Sequence, residues 1–285
     1  MSARVATQFK KLGAVCLTLV VLTGAFGQAL GQSYTLSVVP QFPQLVLYES
    51  WQPLLSYLSE RTGVTFELVL EPNIPAFEAS FLAGEPDFAF MNPYHEVMAK
   101  QAQGYIPLVS DGSRQLRGIL VVRQDSPYRS VQDLQGQTLA FPAPNAFGAS
   151  LYMRALLTEE EKLTFDSLYV ETHSNAYRFV MLGQAAASGG VKSTLSKEPE
   201  ELQAGLRILY ETPGVTPHPI SVHPRVPEAL REAFVAALLE LATSAEGQAM
   251  LEAVQLSEPI PVTYAEHYQQ LEQLHLEDFV ILGEN

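Results

Sequence analysis

Short apolar runs alternate with amphipathic segments along almost the whole chain, and this alternation constrains the fold more than any other feature. Runs such as Thr65–Leu70, Gly118–Arg123 and Thr138–Phe141 have strand length, and the segments between them carry apolar residues three and four apart. That is the pattern of α/β proteins whose mostly parallel sheets are covered by helices on both faces. The spacing predicts strands over Tyr34–Val39, Thr65–Leu70, Asp87–Met91, Ile106–Val109, Gly118–Arg123, Thr138–Phe141, Leu168–Glu171, Ala185–Ala187, Leu206–Tyr210 and Ile220–Val222. Helices are predicted around Trp51–Leu58, stopped by Gly63, and over Ile74–Leu82, Tyr94–Gln103, Ala149–Leu157 and Asn175–Leu182. Pro227–Val254 reads as one long helix or two, and Tyr264–Leu274 as the last. Ser130–Asp133 reads as a capped helical turn closed by Gly136.

The first residues indicate export. Arg4, Lys10 and Lys11 precede an apolar stretch, Leu12–Leu22, that is too short to span a bilayer. Ala29 and Gly31 then stand where a signal peptidase reads small residues, so residues 1–31 are expected to be a signal peptide and Gln32 the mature start. Cys16, the only cysteine, lies inside this segment. The mature chain is therefore expected to have no disulfide, no thiolate metal site and no cysteine nucleophile. The leader carries three of the 17 basic residues and none of the 31 acidic ones, which leaves a mature net charge of −17. Such a balance argues against nucleic acid and anionic lipid as partners. The residues after Gly31 suffice for two compact lobes, and without a Gly/Ser linker those lobes would be joined by strands. A soluble periplasmic monomer is expected.

In open parallel sheets, ligands bind beyond the carboxyl ends of the strands. That rule singles out Pro40–Gln44, Asn92–His95, Pro142–Gly148, His173–Asn175 and Ser188–Gly190. The third is the most informative, because a buried strand ends at Pro142 and a helix opens near Asn145, a good N-cap residue. The amides that follow would converge on the loop as a cradle for an anion or polar head group. These segments are rich in Asn, His, Tyr, Ser and Gly and poor in carboxylates. That composition suits anion binding better than hydrolysis, so no catalytic residue and no cofactor are expected. Arg117 could neutralise an anion where the chain crosses between lobes. His218 and His223, five apart and flanked by prolines, lack helical metal-ligand spacing, and no metal site is expected. Glu159–Glu161 and Glu198–Glu201 read as solvated faces. Each singled-out residue also has a structural reading: Tyr94 as a core residue of its helix, Ser174 and Asn175 as a helix cap, His173 as a buried structural ring, Arg117 as a solvent-exposed side chain.

Asp87–Tyr94, Arg117–Arg123, Ser130–Gly136, Ala140–Asn145 and His173 with the following Gly183 come in an ordered set that covers nearly all of the mature chain. In this the sequence resembles the periplasmic phosphate/phosphite/phosphonate-binding proteins of ABC transporters. The resemblance implies a two-lobed type II periplasmic-binding-protein fold, each lobe a mostly parallel sheet flanked by helices, closing over its ligand. It implies a first lobe of residues 32–115 plus 216–285, a second of 116–215, and crossings near Arg117 and Ile220. It also implies capture of a small anionic solute, a phosphonate, phosphite or phosphate, for a membrane permease. The same fold can instead report its ligand to a membrane receptor or kinase, with a ligand other than a phosphonate.

Residue by residue, Tyr94, beside His95, matches the family's aromatic after the Asp87–Met91 strand. His173, followed by Ser174 and Asn175, matches its histidine. The family's Ser-Thr-Ser cradle stands here as Ala146, Phe147 and Gly148 after Asn145, which keeps the backbone donors, drops three hydroxyls and adds an aromatic face. Ala186 replaces an acidic residue of the family's pattern. A lost hydrogen bond to a charged ligand is worth about 1.5–3 kcal/mol, so phosphonates are expected to bind more weakly than to typical members.

Overall fold

The structure is a computed structural model that describes residues 31–282. The leader read at residues 1–31 therefore lies, apart from Gly31, outside the described residues. In chain order the strands are β1 Ser33–Val38, β2 Thr65–Leu70, β3 Phe88–Phe90, β4 Ile106–Asp111, β5 Gly118–Arg123 and β6 Thr138–Phe141. They continue as β7 Asp166–Tyr169, β8 Ala187–Val191, β9 Leu206–Glu211, β10 Ile220–Val222 and β11 Pro259–Pro261. Two sheets form, with strand orders β11-β4-β10-β3-β1-β2 and β7-β6-β8-β5-β9. In the first, β1, β2, β3 and β4 run one way and β10 and β11 the other. In the second, β5 alone opposes β6, β7, β8 and β9. Most strands in each sheet share one direction, but both sheets are mixed and not mostly parallel in their pairing. The return strand β10 in the first and β5 in the second are inserted between strands of the opposite direction.

The helices that position the site are α1 Gln44–Thr62, α2 Ile74–Leu82, α3 Pro93–Gln103, α4 Tyr152–Glu159, α5 His173–Met181 and the single turn α6 Lys192–Leu195. α1 buries Leu47, Trp51, Leu54, Leu55 and Leu58 on one face and ends at Gly63, whose φ of 74° needs a residue without Cβ strain. Asn73 and Asn92 cap α2 and α3 by accepting the N–H groups of Ala76 (2.9 Å) and His95 (2.7 Å). Glu228–Leu241 and Ala245–Ala253 are two helices, separated by Ser244, which caps the second. The first sheet's core is aromatic, with Phe88 stacked on Phe234 at 4.7 Å and Phe66 edge-on to both. Two connections join the sheets, residues 112–117 and 212–219, and they pair through Leu116 and Val215, whose N–H groups donate to each other's carbonyls at 2.8 and 3.0 Å. Among the described residues no helix is long and apolar enough to cross a membrane.

Several expectations need correction. The strand expected over Ala185–Ala187 is β8, so Ser188–Gly190 lie inside a strand and not beyond its end. A Cβ on Gly189 would stand 1.7 Å from the Ala149 carbonyl oxygen, and one on Gly190 2.1 Å from the Tyr177 hydroxyl. Close approach, not β-propensity, sets this strand. The strand expected over Leu168–Glu171 is Asp166–Tyr169, and α5 begins at His173 with Thr172 as its cap, accepting from the Asn175 N–H. Ser174 and Asn175 are thus not the cap. The segment expected as one helix over Tyr264–Leu274 divides into an α turn, Tyr264–His267, and a 3₁₀ turn, Gln269–Leu274. β11 is an edge strand with proline at both ends, which hides it from strand patterning.

Candidate functional site

After β6 the chain passes through Pro142–Asn145 into a π-helical turn, Phe147–Leu151, that continues as α4. The wider turn leaves the N–H groups of Ser150 and Leu151 both on the Ala146 carbonyl, at 2.7 and 3.2 Å. The amides of Phe147, Gly148 and Ala149 have no acceptor among the described residues. Three successive donors therefore lie open at the start of a helical segment, where the peptide dipoles also favour negative charge. The turn sits directly on the second sheet, because a Cβ on Gly118 would stand 2.0 Å from the Gly148 oxygen. Gly118 and Gly189 together admit this backbone, and larger residues would lift it off the sheet.

These amides border a cavity of about 20 Å³ between the two sheets. Val39 and Gln41 follow β1, Asn92 follows β3, and His218 precedes β10 on the first-sheet side. Ala146–Ala149 follow β6, His173 follows β7, and Val191 ends β8 on the other side. Carboxyl ends of strands from both sheets thus meet at one point. The lining contains no carboxylate, lysine or arginine.

Two imidazoles dominate its chemistry. His173 Nδ1 lies 3.2 Å from Thr194 Oγ1, and that oxygen lies 2.7 Å from the Tyr177 hydroxyl. Burial pushes His173 down to about 4, so the ring is neutral. His218 Nε2 accepts from Gln41 Nε2 at 2.7 Å, and the Gln41 amide is oriented by Gln255 Nε2, which donates to Gln41 Oε1 at 3.0 Å. Burial first, then the neighbouring His95, Arg114 and His173, lowers His218 to about 3. Its ring stacks on Phe90 at 5.4 Å. Two neutral imidazoles without a carboxylate or thiolate beside them do not make a metal's ligand set. The arrangement can instead surround a small polar group with N–H donors and imidazole nitrogens.

The structure brings Ala146, Phe147, Gly148 and His173 to the cavity wall and places the other expected residues elsewhere. Tyr94 packs in an apolar cluster with Phe147, Leu151 and Tyr268, and its hydroxyl reaches Glu277 Oε2 at 3.4 Å. His95 is buried between Phe77 and Phe81, with Nε2 2.9 Å from Glu78 Oε1. Asn145 is not an N-cap: its amide donates to Glu78 Oε2 (3.0 Å) and the Ile281 carbonyl (2.9 Å) and accepts the Ile281 N–H (3.0 Å). The π turn removes the geometry a capping side chain would serve. Arg117 is exposed and turned to Gln115 and the Thr212 carbonyl. Ser174 bonds Glu198, and the Asn175 amide donates to the Val170 carbonyl at 2.9 Å.

Gln41, Asn92 and His218 also line the cavity, and none of them is among the individual side chains expected to bind. Gln41 and Asn92 lie in strand-end segments that the sequence marks, and side-chain choice within them is set by tertiary packing. His218 stands just before the return strand Ile220–Val222, about seventy residues along the chain from the amides it faces, and no local signal carries that.

A family model described as the periplasmic substrate-binding protein of phosphonate ABC transporters matches residues 36–268. Among solved structures, the chain is similar to a binding-protein component of an ABC phosphonate transporter from Pseudomonas aeruginosa, with 14% identity, a TM-score of 0.78, and 87% of this chain and 88% of that one covered. It is similar to PhnD1 from Prochlorococcus marinus in complex with methylphosphonate, with 14% identity, a TM-score of 0.78, and coverage of 87% and 99%. It is also similar to a Xanthomonas citri protein bound to ATP, with 19% identity, a TM-score of 0.74, and coverage of 88% and 100%. At these identities the structural likeness establishes the two-lobed fold.

Proposed function

The chain belongs to the family of periplasmic substrate-binding proteins of phosphonate ABC transporters, and from that premise we propose that its ligand is a small tetrahedral oxyanion of the phosphonate, phosphite or phosphate class, held in the cavity between the sheets. One observation carries this reading: the three open amides of Phe147, Gly148 and Ala149 at the cavity wall, opposite the strand ends of the other sheet. Backbone N–H groups at a helical N-terminus bind oxyanions without a cationic side chain. Val39, Ile74, Leu116 and Val191 supply apolar walls suited to a short substituent on phosphorus. At about 20 Å³ the cavity holds one or two water-sized groups as it stands, so an oxyanion enters only as the lobes part.

In this reading residues 32–115 with 216–285 form one lobe and 116–215 the other, and the paired connections around Leu116 and Val215 bend as the lobes open and close. The protein works as a leader-free monomer, catalyses no reaction, and hands its ligand to a membrane permease. Calorimetry on the protein without residues 1–31 tests the ligand class. One-to-one binding of methylphosphonate, phosphite or phosphate is expected, and no heat with any of them would overturn the assignment.

A further inference from the structure

The end of the chain is fastened to the second sheet's side of the molecule. Leu276 and Phe279, in the 3₁₀ turn Leu276–Phe279, pack in the apolar cluster that holds Tyr152, Ala155 and Leu156 of α4. Arg154, also on α4, donates to the Phe279 carbonyl at 2.8 Å. Asn145 takes both backbone groups of Ile281: its Nδ2 donates to the Ile281 carbonyl at 2.9 Å, and its Oδ1 accepts the Ile281 N–H at 3.0 Å. An N–H needs the amide oxygen and a carbonyl needs the amide nitrogen, so the two contacts together fix the orientation of the Asn145 amide. The side chains of Ile281 and Leu282 are exposed, so it is the backbone of this stretch that is held.

Asn145 is tied to the first sheet as well. Its second Nδ2 hydrogen goes to Glu78 Oε2 on α2 at 3.0 Å, and its carbonyl accepts from Asn92 Nδ2, just beyond β3, at 3.1 Å. These contacts stand away from the two connections between the sheets. Residues 112–117 leave β4 and residues 212–219 lead into β10, whereas α2 follows β2, the strand of the first sheet farthest from both in strand order. The apolar cluster, which also takes in Val97 of α3 and Leu271 of the C-terminal segment, packs against Leu116 and Val215. The seam between the sheets thus starts at the connections and is closed at its far end on Asn145.

We propose that the C-terminal segment is a strap that holds the two lobes together before a ligand arrives, with Asn145 as its clasp, so that release of Ile281 gates the cavity. This rests on the reading above that residues 32–115 with 216–285 and residues 116–215 move as two lobes. The strap leaves the first lobe and fastens to the second, so the lobes part along this seam only by giving up the bonds of Asn145 and Arg154. The cavity of about 20 Å³ admits no oxyanion as it stands, so every binding event passes through the unclasped state. A strap that stabilises the free and the ligand-filled closed forms alike slows entry and exit together and changes affinity little.

Small-angle scattering without ligand and stopped-flow binding of methylphosphonate test the strap on the protein without residues 1–31. Val280 is already extended, with φ −69° and ψ 131°, so Ile281→Pro removes the Ile281 N–H without rebuilding the chain before it. Ile281→Ser keeps that N–H and changes only an exposed side chain. Ligand-free wild type and Ile281→Ser are expected to share one radius of gyration, near the roughly 18 Å of a compact chain of this length. Ile281→Pro and a chain ending at Val280 are expected to have a larger one. In those two variants methylphosphonate should enter and leave at least about tenfold faster, with Kd within about threefold of wild type. Equal radii and equal rates in all four proteins would overturn the strap. A larger radius without faster entry would overturn the gating, and Ile281→Ser behaving as Ile281→Pro would overturn the backbone clasp. If methylphosphonate binds to none of the four, the ligand reading fails, and the radii alone decide for or against the strap.

Discussion

His95 and His173 both follow strands at their carboxyl ends, one in each sheet, and both are buried. Their surroundings differ. His95 lies between two phenylalanine rings with Nε2 on Glu78, and the other oxygen of that carboxylate accepts from Asn145 on the segment leading out of the second sheet. His173 has a hydroxyl on one ring nitrogen and the cavity beside the ring. A histidine in a favoured place is therefore not yet a ligand residue. What its remaining nitrogen faces decides: His95 Nδ1 is buried without a partner, and His173 has the cavity beside it. The two regions are also linked, since Asn145 directly precedes the turn that carries the open amides. The Glu78 network braces the loop Asn145–Ala149 from behind, and the His173 wall faces the cavity.

The largest expected effect breaks the brace. Glu78→Ala leaves His95 Nε2 and the Asn145 amide without their shared acceptor in a buried setting. Each abandoned group costs about 1–3 kcal/mol, so the loss of stability in urea unfolding should be roughly 2–5 kcal/mol, with weaker ligand binding as the loop loosens. A change below about 1 kcal/mol would mean that the network is incidental and that the contrast between the two histidines is overdrawn.

The contrast also marks what patterning could reach. Thr65–Leu70, Ile74–Leu82, Gly118–Arg123, Thr138–Phe141 and Ile220–Val222 are elements whose limits agree between pattern and structure, because apolar periodicity and Gly or Pro boundaries act locally. β8 was expected two residues early and cut short, because its Ser188-Gly189-Gly190 run is set by contact with the Ala149 carbonyl and the Tyr177 ring, which are remote in sequence. Asn145 reads as a cap on propensity and serves as an inter-sheet hydrogen-bonding residue, because tertiary partners outweighed a local preference. In the site, the backbone donors were legible from a strand running into a helix. The surroundings of His173 were not, since Thr194 and Tyr177 are brought together behind the ring by the turn after β8.

A second, smaller effect sharpens the comparison from the His173 side. Its folded-state value near 4 lies below the ordinary 6.5, so the stability associated with the neutral ring is complete above pH 6.5 and is lost as pH falls towards 4. A lowering of this size corresponds to roughly 3 kcal/mol across that interval. His173→Gln removes the titration, so urea unfolding at successive pH values should show a shallower acid loss in the variant than in wild type. Parallel curves would mean that the ring is solvated in the free protein, as it would be if the lobes stand open without ligand.

The smallest effect concerns the aromatic that matches the family pattern yet stands outside the cavity. The Tyr94 hydroxyl is raised to about 12, by burial first and then by Glu277, and its one polar contact is the 3.4 Å approach to that carboxylate. The ring lies in the same apolar cluster as Phe147, so the residue supports that loop through shape and not through its oxygen. Tyr94→Phe keeps the ring and removes a long hydrogen bond at the edge of the cluster. Stability should change by less than about 0.5 kcal/mol, and the methylphosphonate Kd should stay within about twofold of wild type. A tenfold weaker Kd would show that the hydroxyl reaches the ligand when the lobes rearrange around it, and would place the first-sheet wall, with its neighbour His95, back among the groups that read the oxyanion.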